Sequence, residues 1–408
     1  MNPPRSPPPP PPHTGLGNLS FGIIGGGWYG CHVASSLRAL GFRVRVFEQH
    51  GRLMHEASGN NQFRLHTGFH YARHRGTRVQ SRDGFLRFIE RYPGLSRAVP
   101  CNLYAVASRD SLVDYGTWNT IMASSGLHFT EGAGGMMPGS INSSSGSGGS
   151  VVMSNVSGVV RTAERVLLLT KARHYFEAEL EGVLSLSHKV SRVEEHGDEA
   201  VSVDGEPFDF VIDATWGHYG RPPDVEVVYE PTLLLYYEGP HDFPAVTLVD
   251  GPLCSIYPTE APGLFTLSSV PYTPLGQFKT AEEARAVRDG IDGGAIRAKR
   301  KLMENQISHY LPAFRRLFRY VGPQLAVKTK AVGAHADRSC QVYRRGRVFS
   351  IMSGKIDTVF YATERILSMI EAPRVPAVGG TLSSLRQDLA MLSSKAHHKE
   401  LLETVAEG

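Results

Sequence analysis

The sequence contains little cysteine. Its 408 residues include four cysteines, which are widely separated and form no C-x-x-C pair: Cys31, Cys101, Cys254 and Cys340. A disulfide framework is therefore not predicted, and reduced thiols in a reducing compartment are expected. Because no Cys/His cluster has metal-ligand spacing, no metal centre is predicted either.

Long apolar runs and blocks of one charge are also missing. No stretch approaches the roughly 18–20 apolar residues of a membrane span, and the N-terminus lacks the apolar core of a signal peptide. These absences favour a cytoplasmic location. The formal net charge of +4 is too small to indicate nucleic-acid binding, and the arginines of residues 64–82 are interleaved with His, Tyr and Gly. That interleaving suits a solvated face or a pocket for an acidic ligand.

A dinucleotide-binding βαβ pattern lies near the N-terminus. The apolar run Phe21–Ile24 predicts a buried strand, and Gly25, Gly27 and Gly30 follow it with G-x-G-x-x-G spacing. A helical pattern and a second strand, closed by Glu48, complete the unit, and the Glu48 carboxylate can accept hydrogen bonds from ribose hydroxyls. The glycines permit a tight turn and a close backbone approach to a pyrophosphate at a helix N-terminus. The pattern predicts a bound dinucleotide, with NAD and FAD both open.

The elements that follow are arranged unusually for one contiguous nucleotide domain. Closely spaced strands over residues 225–275 predict an antiparallel sheet, and a further strand–glycine–helix element occupies residues 348–370. Helical patterns predict helices over Thr162–Leu180 and Ala281–Leu311. The order therefore predicts a nucleotide-binding domain in several pieces, with strand-rich material inserted between them.

Four separated segments resemble the D-amino-acid oxidase-like superfamily of FAD-dependent oxidoreductases. The first is the glycine fingerprint. The second, residues 57–71, resembles the Ser-rich loop and His-[Ala/Gly]-Gly that run beneath the ribityl chain and flavin ring. Residues 210–217 are similar to the second nucleotide-contacting turn, although Trp216 replaces a small residue there. Residues 353–358 resemble the Gly-Gly-Lys-x-Thr-Thr turn of the glycerol-3-phosphate dehydrogenase branch, with Asp357 in place of Thr, and there is also similarity to the 2-hydroxyglutarate dehydrogenases.

The resemblance implies an α/β fold class, α+β overall. A Rossmann-like FAD-binding domain of the glutathione reductase type is expected over residues 19–75, 161–220 and 335–372. An inserted antiparallel-sheet substrate domain is expected over residues 76–160 and 221–334. A disordered Pro-rich tail (1–18), a low-complexity loop (141–150) and a C-terminal helical tail (373–408) complete the predicted organisation. The Pro-rich tail is a candidate ligand for a proline-recognition domain.

The resemblance also implies FAD as the cofactor. The expected cofactor contacts come from the four segments and one further strand: Gly25, Gly27, Trp28, Tyr29, Gly30, Glu48, Gln49, Arg52, Ser58, Gly59, Asn61, Val190, Ala214, Gly217, Gly354, Lys355, Ile356 and Asp357. Lys355 and the following helix N-terminus would place positive charge near flavin N1 and C2=O, which stabilises the anionic reduced ring.

Candidate catalytic and substrate residues follow from the same segments. His66 and His70 flank Thr67-Gly68 and are candidate proton acceptors, with Lys355 as the third catalytic candidate. Three arginines with guanidinium groups suited to a carboxylate or phosphate and two strand tyrosines are candidate substrate contacts: Arg64, Arg73, Arg338, Tyr257 and Tyr272. For each of them a purely structural role stays open.

The predicted function is oxidation of a CH–OH or CH–NH bond in a small, anionic substrate. The hydride would pass to flavin N5, and dioxygen or another acceptor would take the electrons. One alternative is a structural or non-redox role for FAD. A second is an NAD-dependent dehydrogenase, against which the discontinuous domain and the lack of a second G-x-G-x-x-G argue. The predicted partners are therefore a small-molecule substrate and an electron acceptor, without nucleic acid or a membrane.

Overall fold

The computed structural model describes residues 19–132, 152–197, 200–222, 225–332 and 337–371. The predicted Pro-rich tail, the low-complexity loop and the C-terminal helix lie outside the described residues. No helix among the described residues is both long and apolar enough to cross a membrane.

Strands and helices alternate in the first part of the chain and cluster by type later. The strands are β1 Ser20–Ile24, β2 Arg43–Phe47, β3 Arg64–Leu65, β4 Ser96–Ala98, β5 Asn102–Ala107, β6 Thr130–Gly132, β7 Val156–Thr162, β8 Arg165–Leu167, β9 Leu184–Ser185, β10 Val193–His196, β11 Ala200–Val203, β12 Glu206–Phe208, β13 Phe210–Asp213, β14 Val227–Glu238, β15 Ala245–Val249, β16 Cys254–Pro258, β17 Leu264–Ser269, β18 Arg319–Ala331, β19 Gln341–Arg345 and β20 Val348–Met352. The α-helices are α1 Trp28–Ala39, α2 Arg75–Arg91, α3 Tyr115–Ser124, α4 Leu169–Glu179, α5 Ala281–Gly290, α6 Gly293–Tyr310, α7 Phe314–Leu317 and α8 Val359–Glu371. Short 3₁₀ turns cover Ala57–Gly59, Pro93–Leu95 and Ile356–Thr358.

A six-stranded sheet contains the predicted βαβ unit. Its strand order is β19-β20-β13-β1-β2-β9, and β1 pairs in parallel with both β2 and β13. The strands come from the N-terminal, middle and C-terminal parts of the chain, so the sheet is discontinuous in sequence as expected. Strand β1 is buried along its whole length, because helices α1 and α8 and their neighbours cover the sheet.

An eight-stranded, mainly antiparallel sheet forms the second layer, in the order β18-β14-β17-β16-β15-β5-β7-β6. Alternate residues of β14, such as Leu233 and Leu235, pack in an apolar core with α6. The opposite face is polar and buried, and it includes Thr232 and Thr266. This polar face meets the loop after the first 3₁₀ turn, where Ser255 Oγ donates a hydrogen bond of 2.9 Å to Gln62 Oε1.

Two predicted helices were wrong in extent. The segment Thr162–Leu180 begins as strand, since Arg165–Leu167 pairs with β3 and β4 in a three-stranded sheet, and the helix begins only at Leu169. Long-range pairing outweighs local helical periodicity there. The helical pattern over Ala281–Leu311 is divided in two, because Gly290 ends α5 and the Asp292 side chain caps α6.

Helix α2 packs with the six-stranded sheet rather than with the eight-stranded one. Its residues Phe85 and Phe88 belong to the same core as β1 and α1, and the Phe88 ring lies 5.5 Å from that of Trp28. The predicted domain boundaries stay a prediction, but this packing favours a start of the inserted segment after α2.

Candidate functional site

The glycine turn between β1 and α1 has no room for side chains. Gly25 has φ +102°, and a Cβ on Gly30 would lie 1.8 Å from the Gly25 carbonyl oxygen. Helix α1 can therefore begin directly against the strand end only because these positions are glycine. Gly25 and Gly27 of this turn line a pocket beside the helix N-terminus.

Glu48 holds this turn in place. Its buried carboxylate accepts 2.7 Å and 2.8 Å hydrogen bonds from the backbone N–H groups of Gly26 and His50. The sequence predicted a ribose contact for Glu48, and the structure adds a second role, since the same carboxylate joins β2 to the glycine turn. A carboxylate has enough lone pairs for both.

The pocket beside the turn has a volume of about 360 Å³. Seven of the predicted cofactor residues line it: Gly25, Gly27, Glu48, Gln49, Ser58, Val190 and Ala214. Sequence reasoning missed several other lining residues, among them His218 and the α5 residues Arg285 and Arg288. No motif marks α5, whose position depends on how the second sheet packs.

The other predicted cofactor residues lie outside the lining of this pocket. They are Trp28, Tyr29, Gly30, Arg52, Gly59, Asn61, Gly217, Gly354, Lys355, Ile356 and Asp357. The Trp28 side chain is in the core, and only its backbone N–H reaches the site, where it donates to Ser58 Oγ over 3.2 Å. Arg52 is exposed, and its Nε donates to His55 Nδ1 over 3.1 Å. Asn61 closes the preceding loop by donating to Ala57 and Ser58 carbonyl oxygens.

Tyr29 ties the first helix to the turn at residues 353–358. Its hydroxyl donates to the Lys355 carbonyl oxygen over 2.6 Å and lies 2.7 Å from the Thr358 hydroxyl. Two segments more than 300 residues apart are thus fixed together, and Lys355 is oriented by this contact. The Lys355 side chain extends from the turn toward β3.

Five charged or ionisable residues converge there in what we call the inner cluster: Arg64, His66, His70, Glu164 and Lys355. The Lys355 Nζ atom lies 3.2 Å from His66 Nε2, and His66 Nδ1 lies 3.8 Å from Glu164 Oε1. The ring centroids of His66 and His70 are 5.8 Å apart. The structure thus brings together all three predicted catalytic residues and one predicted substrate residue.

Burial controls the charges of the inner cluster. Desolvation, with the charges of Lys355 and Arg64, holds the pKa of His66 well below its usual value, and the pKa of His70 is lowered for similar reasons. Desolvation also lowers the pKa of Lys355 to about 8, against the opposing effect of Asp357. At neutral pH both histidines are therefore neutral, while Lys355 is mainly cationic.

Glu164 is a member of the cluster that sequence reasoning missed. Its Oε1 accepts hydrogen bonds from the Tyr104 hydroxyl at 2.9 Å and from the Thr67 backbone N–H at 3.1 Å. Burial raises the pKa of Glu164, with Arg64 and these hydrogen bonds acting in the opposite direction. The residue stands alone between β7 and β8, and no local pattern distinguishes it from a surface acid.

The predicted substrate residues separate into four environments. Arg64 is buried with its guanidinium carbon 4.0 Å from the Tyr257 ring centroid, so these two belong with the inner cluster. Arg73 is partly exposed and forms a salt bridge with Asp250. Arg338 lies beside Gly354, whereas Tyr272 packs with the apolar core under α6, on the other face of the sheet.

Trp216, where the sequence departs from the family pattern, has an unusual backbone. Its φ is +60°, a left-handed conformation that bulky residues rarely adopt. Its ring lines the pocket and would lie 3.3 Å from a Cβ on Gly354. The residue therefore spans the distance between the pocket and the turn that carries Lys355.

One potential metal-ligand group exists among the described residues, although the sequence predicted none. Ligand atoms of His50, His55 and Glu56 lie within 4.8 Å of one another at the pocket edge. Arg52 already donates to His55, and Arg288 forms a 2.8 Å ion pair with Glu56. Because cations occupy two of the three groups, the arrangement suits a polar pocket rim better than a metal site.

Comparison with known proteins decides the family. Residues 23–81 match the NAD(P)-binding Rossmann-like domain. Over 352 residues, 86% of this chain and 91% of the relative, the sequence is 67% identical to the FAD-dependent monooxygenase FPY4 of Fusarium mangiferae. The chain belongs to this family of FAD-dependent monooxygenases. The FAD-dependent monooxygenase kojA of Aspergillus flavus is 29% identical over 376 residues, 86% of each chain.

Solved structures share the fold at low sequence identity. Glycine oxidase from Geobacillus kaustophilus has a TM-score of 0.62 at 12% identity, and the alignment covers 90% of this chain and 97% of the glycine oxidase chain. L-α-glycerophosphate oxidase from Mycoplasma pneumoniae with FAD bound has a TM-score of 0.63 at 12% identity. That alignment covers 88% of this chain and 100% of the oxidase chain. These structures confirm the predicted fold class, and the family confirms the FAD cofactor and a FAD-dependent oxidoreductase.

The described residues fit FAD at both ends of the site. At the glycine turn, Gly25 and Gly27 line the pocket without side chains, so a ligand can approach the backbone there. In the inner cluster, several buried polar atoms have no hydrogen-bond partner among the described residues: Arg64 Nε and Nη2, His66 Nδ1, His70 Nδ1, Tyr71 OH and Glu164 Oε2. Buried groups of this kind are normally satisfied, so their concentration indicates a place for a polar ligand.

Proposed function

We propose that the enzyme oxidises a CH–OH or CH–NH bond of a small, anionic substrate at the inner cluster. The observation that carries this proposal is the burial, in one place, of a free guanidinium on Arg64, the neutral base His66 and the cation Lys355. The glycine-turn pocket would hold the adenosine and diphosphate of FAD, and the flavin would extend toward the turn at Gly354–Asp357.

Each residue of the cluster has a distinct role in this proposal. Bound FAD supplies a two-electron acceptor for the hydride that leaves the substrate carbon. The neutral imidazole of His66 accepts the hydroxyl or amine proton that must leave at the same time. Lys355 supplies positive charge where the reduced ring becomes anionic, and the Arg64 guanidinium binds the substrate carboxylate or phosphate.

Hydride transfer from the substrate is tested by anaerobic mixing. Purified enzyme is mixed without oxygen with 2-hydroxy acids, amino acids, N-methyl amines and polyol phosphates, and the flavin absorbance is followed. Bleaching by one anionic substrate alone supports the proposal. Bleaching by NAD(P)H alone, with every organic compound inactive until oxygen is added, would contradict it.

A second candidate function is insertion of an oxygen atom into the substrate, which the names of FPY4 and kojA favour. The two functions differ in the fate of dioxygen. Turnover under ¹⁸O₂ labels the organic product only if an oxygen atom is inserted, whereas simple oxidation releases the label as peroxide or water. An NAD-dependent dehydrogenase is not proposed further, since the family is FAD-dependent.

A further inference from the structure

The glycine turn offers the FAD diphosphate no charged side chain. The first turn of α1, which begins at Trp28, contains neither Lys nor Arg, and the only basic residue in the terminal turns of this helix is Arg38 in its last turn. Helix N–H groups supply partial positive charge, but a diphosphate carries two full negative charges. Among the described residues lining the pocket, the lysine and arginine side chains are those of Lys189, Arg285 and Arg288.

Two of these three cations lie on α5, a helix of the second sheet. Ala281 and Ala284 of α5 are buried in an apolar cluster with Tyr229 of β14 and Val327 of β18. Such small residues let the helix lie close to the sheet. Residues 282, 285 and 288 follow at intervals of three, so they share one face of the helix, and all three line the nucleotide pocket.

The same face contacts both loops of the nucleotide-binding fold. Arg288 Nη1 donates to Glu56 Oε2 over 2.8 Å, which joins α5 to the loop after β2. Arg285 Nη1 lies 3.1 Å from His218 Nδ1, which joins α5 to the turn after β13. These two contacts connect α5 to both loops beside the pocket, and the third cation, Lys189, adjoins the predicted cofactor residue Val190.

We propose that α5 closes the nucleotide pocket and that Arg285 and Arg288 neutralise the diphosphate of FAD. When the diphosphate is absent, carboxylates hold both guanidinium groups: Glu56 and Asp289 pair with Arg288, and Glu282 pairs with Arg285. The second sheet then contributes to cofactor binding as well as to the inner cluster, and FAD affinity depends on contacts from both parts of the chain.

The test compares ligands with and without the diphosphate on the FAD-free protein. FAD, ADP and adenosine are titrated by calorimetry against wild type, Arg285→Gln, Arg288→Gln and the double variant. We expect the double variant to bind FAD and ADP at least ~10-fold more weakly and to bind adenosine within about twofold of wild type. The dependence of ADP affinity on salt concentration should also become shallower.

Two control variants separate charge from packing. Glu56→Gln breaks the ion pair between Glu56 and Arg288 but leaves the Arg288 charge. This variant should therefore prefer ADP over adenosine at least as strongly as wild type does. Arg300→Gln removes an α6 arginine that pairs with Glu304 and should leave all three affinities unchanged.

Three results would overturn the proposal. One is an equal loss of ADP and adenosine binding in the arginine variants, which would show that α5 acts only by packing. Another is a double variant that prefers ADP over adenosine as strongly as wild type does. The third is a loss in Glu56→Gln as large as in Arg288→Gln. If the double variant does not fold, Arg285→Gln alone, at a partly exposed position, decides the question by the same comparison.

Discussion

The nucleotide pocket and the inner cluster are built in opposite ways. The pocket, with a volume of about 360 Å³, is built around the backbone of one local glycine turn, to which neighbouring loops and α5 add side chains. The inner cluster consists of buried side chains from β3, the β7–β8 turn and the segment before α8, which are distant in sequence. A site made of backbone is visible in a local motif, whereas a site made of converging side chains becomes visible only in the folded chain.

This difference assigns separate functions to the two regions. Changes in the pocket should alter how tightly FAD is held, because the proposed function places the nucleotide end of the cofactor there. Changes in the inner cluster should alter the reactivity of the flavin or the binding of substrate, with FAD retained. Variants in each region therefore test whether FAD affinity and flavin reactivity are separate.

The largest effect is expected in the pocket, from Gly30→Ala. A Cβ at this position would lie 1.8 Å from the Gly25 carbonyl oxygen, so helix α1 must move away from β1. We expect a stability loss of about 2–4 kcal/mol and purification without bound flavin, measured by thermal unfolding and by absorbance near 450 nm. Gly94→Ala, where a Cβ meets nothing within 4 Å, is the control. A yellow Gly30→Ala protein of normal stability would contradict the role of the turn.

In the inner cluster, His66→Gln should affect chemistry alone. Loss of the neutral base should slow anaerobic flavin reduction by the identified substrate about 10²–10³-fold, while the Kd for FAD changes less than about threefold. Stopped-flow absorbance measures the first quantity and fluorescence titration the second. The separation fails if FAD binding weakens in parallel with the reduction rate.

A smaller effect is expected from Arg64→Met. Its buried guanidinium has free donors, and removing it should raise KM for an anionic substrate about 10–100-fold, with a smaller change in kcat. A neutral analogue of the same substrate should be affected little. Equal losses for the charged and neutral compounds would show that Arg64 acts through packing against Tyr257 and not through charge.

The smallest effect is expected from Glu48→Gln. The amide can still accept a hydrogen bond from Gly26 or His50, but the ionic contacts of the carboxylate to N–H groups and ribose are weakened. We expect the Kd for FAD to rise about three- to tenfold with an unchanged flavin spectrum, as measured by titration of FAD-free protein. A change in spectrum or in reduction rate would show that the pocket and the cluster are coupled.

The sequence was enough to predict the parts of the molecule whose structure depends on local residue patterns. The strand–turn–helix around Gly25 and Gly30 was predicted, since its glycine spacing has one physical explanation, and Gly25, Gly27 and Glu48 of this unit line the pocket. The family resemblance implied the other four predicted residues that line it. Tertiary contacts decided the rest. Strand pairing made Arg165–Leu167 extended against a helical pattern, and Glu164 became a buried neighbour of His66 only through the same strand geometry.

Similar limits explain the errors at single residues. Tyr257 lies on β16, whereas Tyr272 lies in the turn after β17, not on a strand as predicted, and packs with the apolar core under α6. Where a strand ends and which face its residues occupy depend on long-range pairing. Arg285 and Arg288 lie on a helix whose sequence is that of an ordinary amphipathic surface helix. Their position at the pocket depends on how α5 packs on β14 and β18.

The central claim is that Lys355 acts on the flavin ring while the pocket holds the nucleotide end, and the two-electron midpoint potential of bound FAD tests it directly. Removing the cation in Lys355→Met should lower this potential by at least about 30–60 mV at pH 7, or roughly 1.4–2.8 kcal/mol, with the Kd for FAD nearly unchanged. The difference from wild type should shrink above pH 8, because the pKa of Lys355 is lowered to about 8 and the wild-type side chain loses its charge there. Glu48→Gln should leave the potential unchanged. A Lys355→Met enzyme with the wild-type potential at pH 7 would contradict the account.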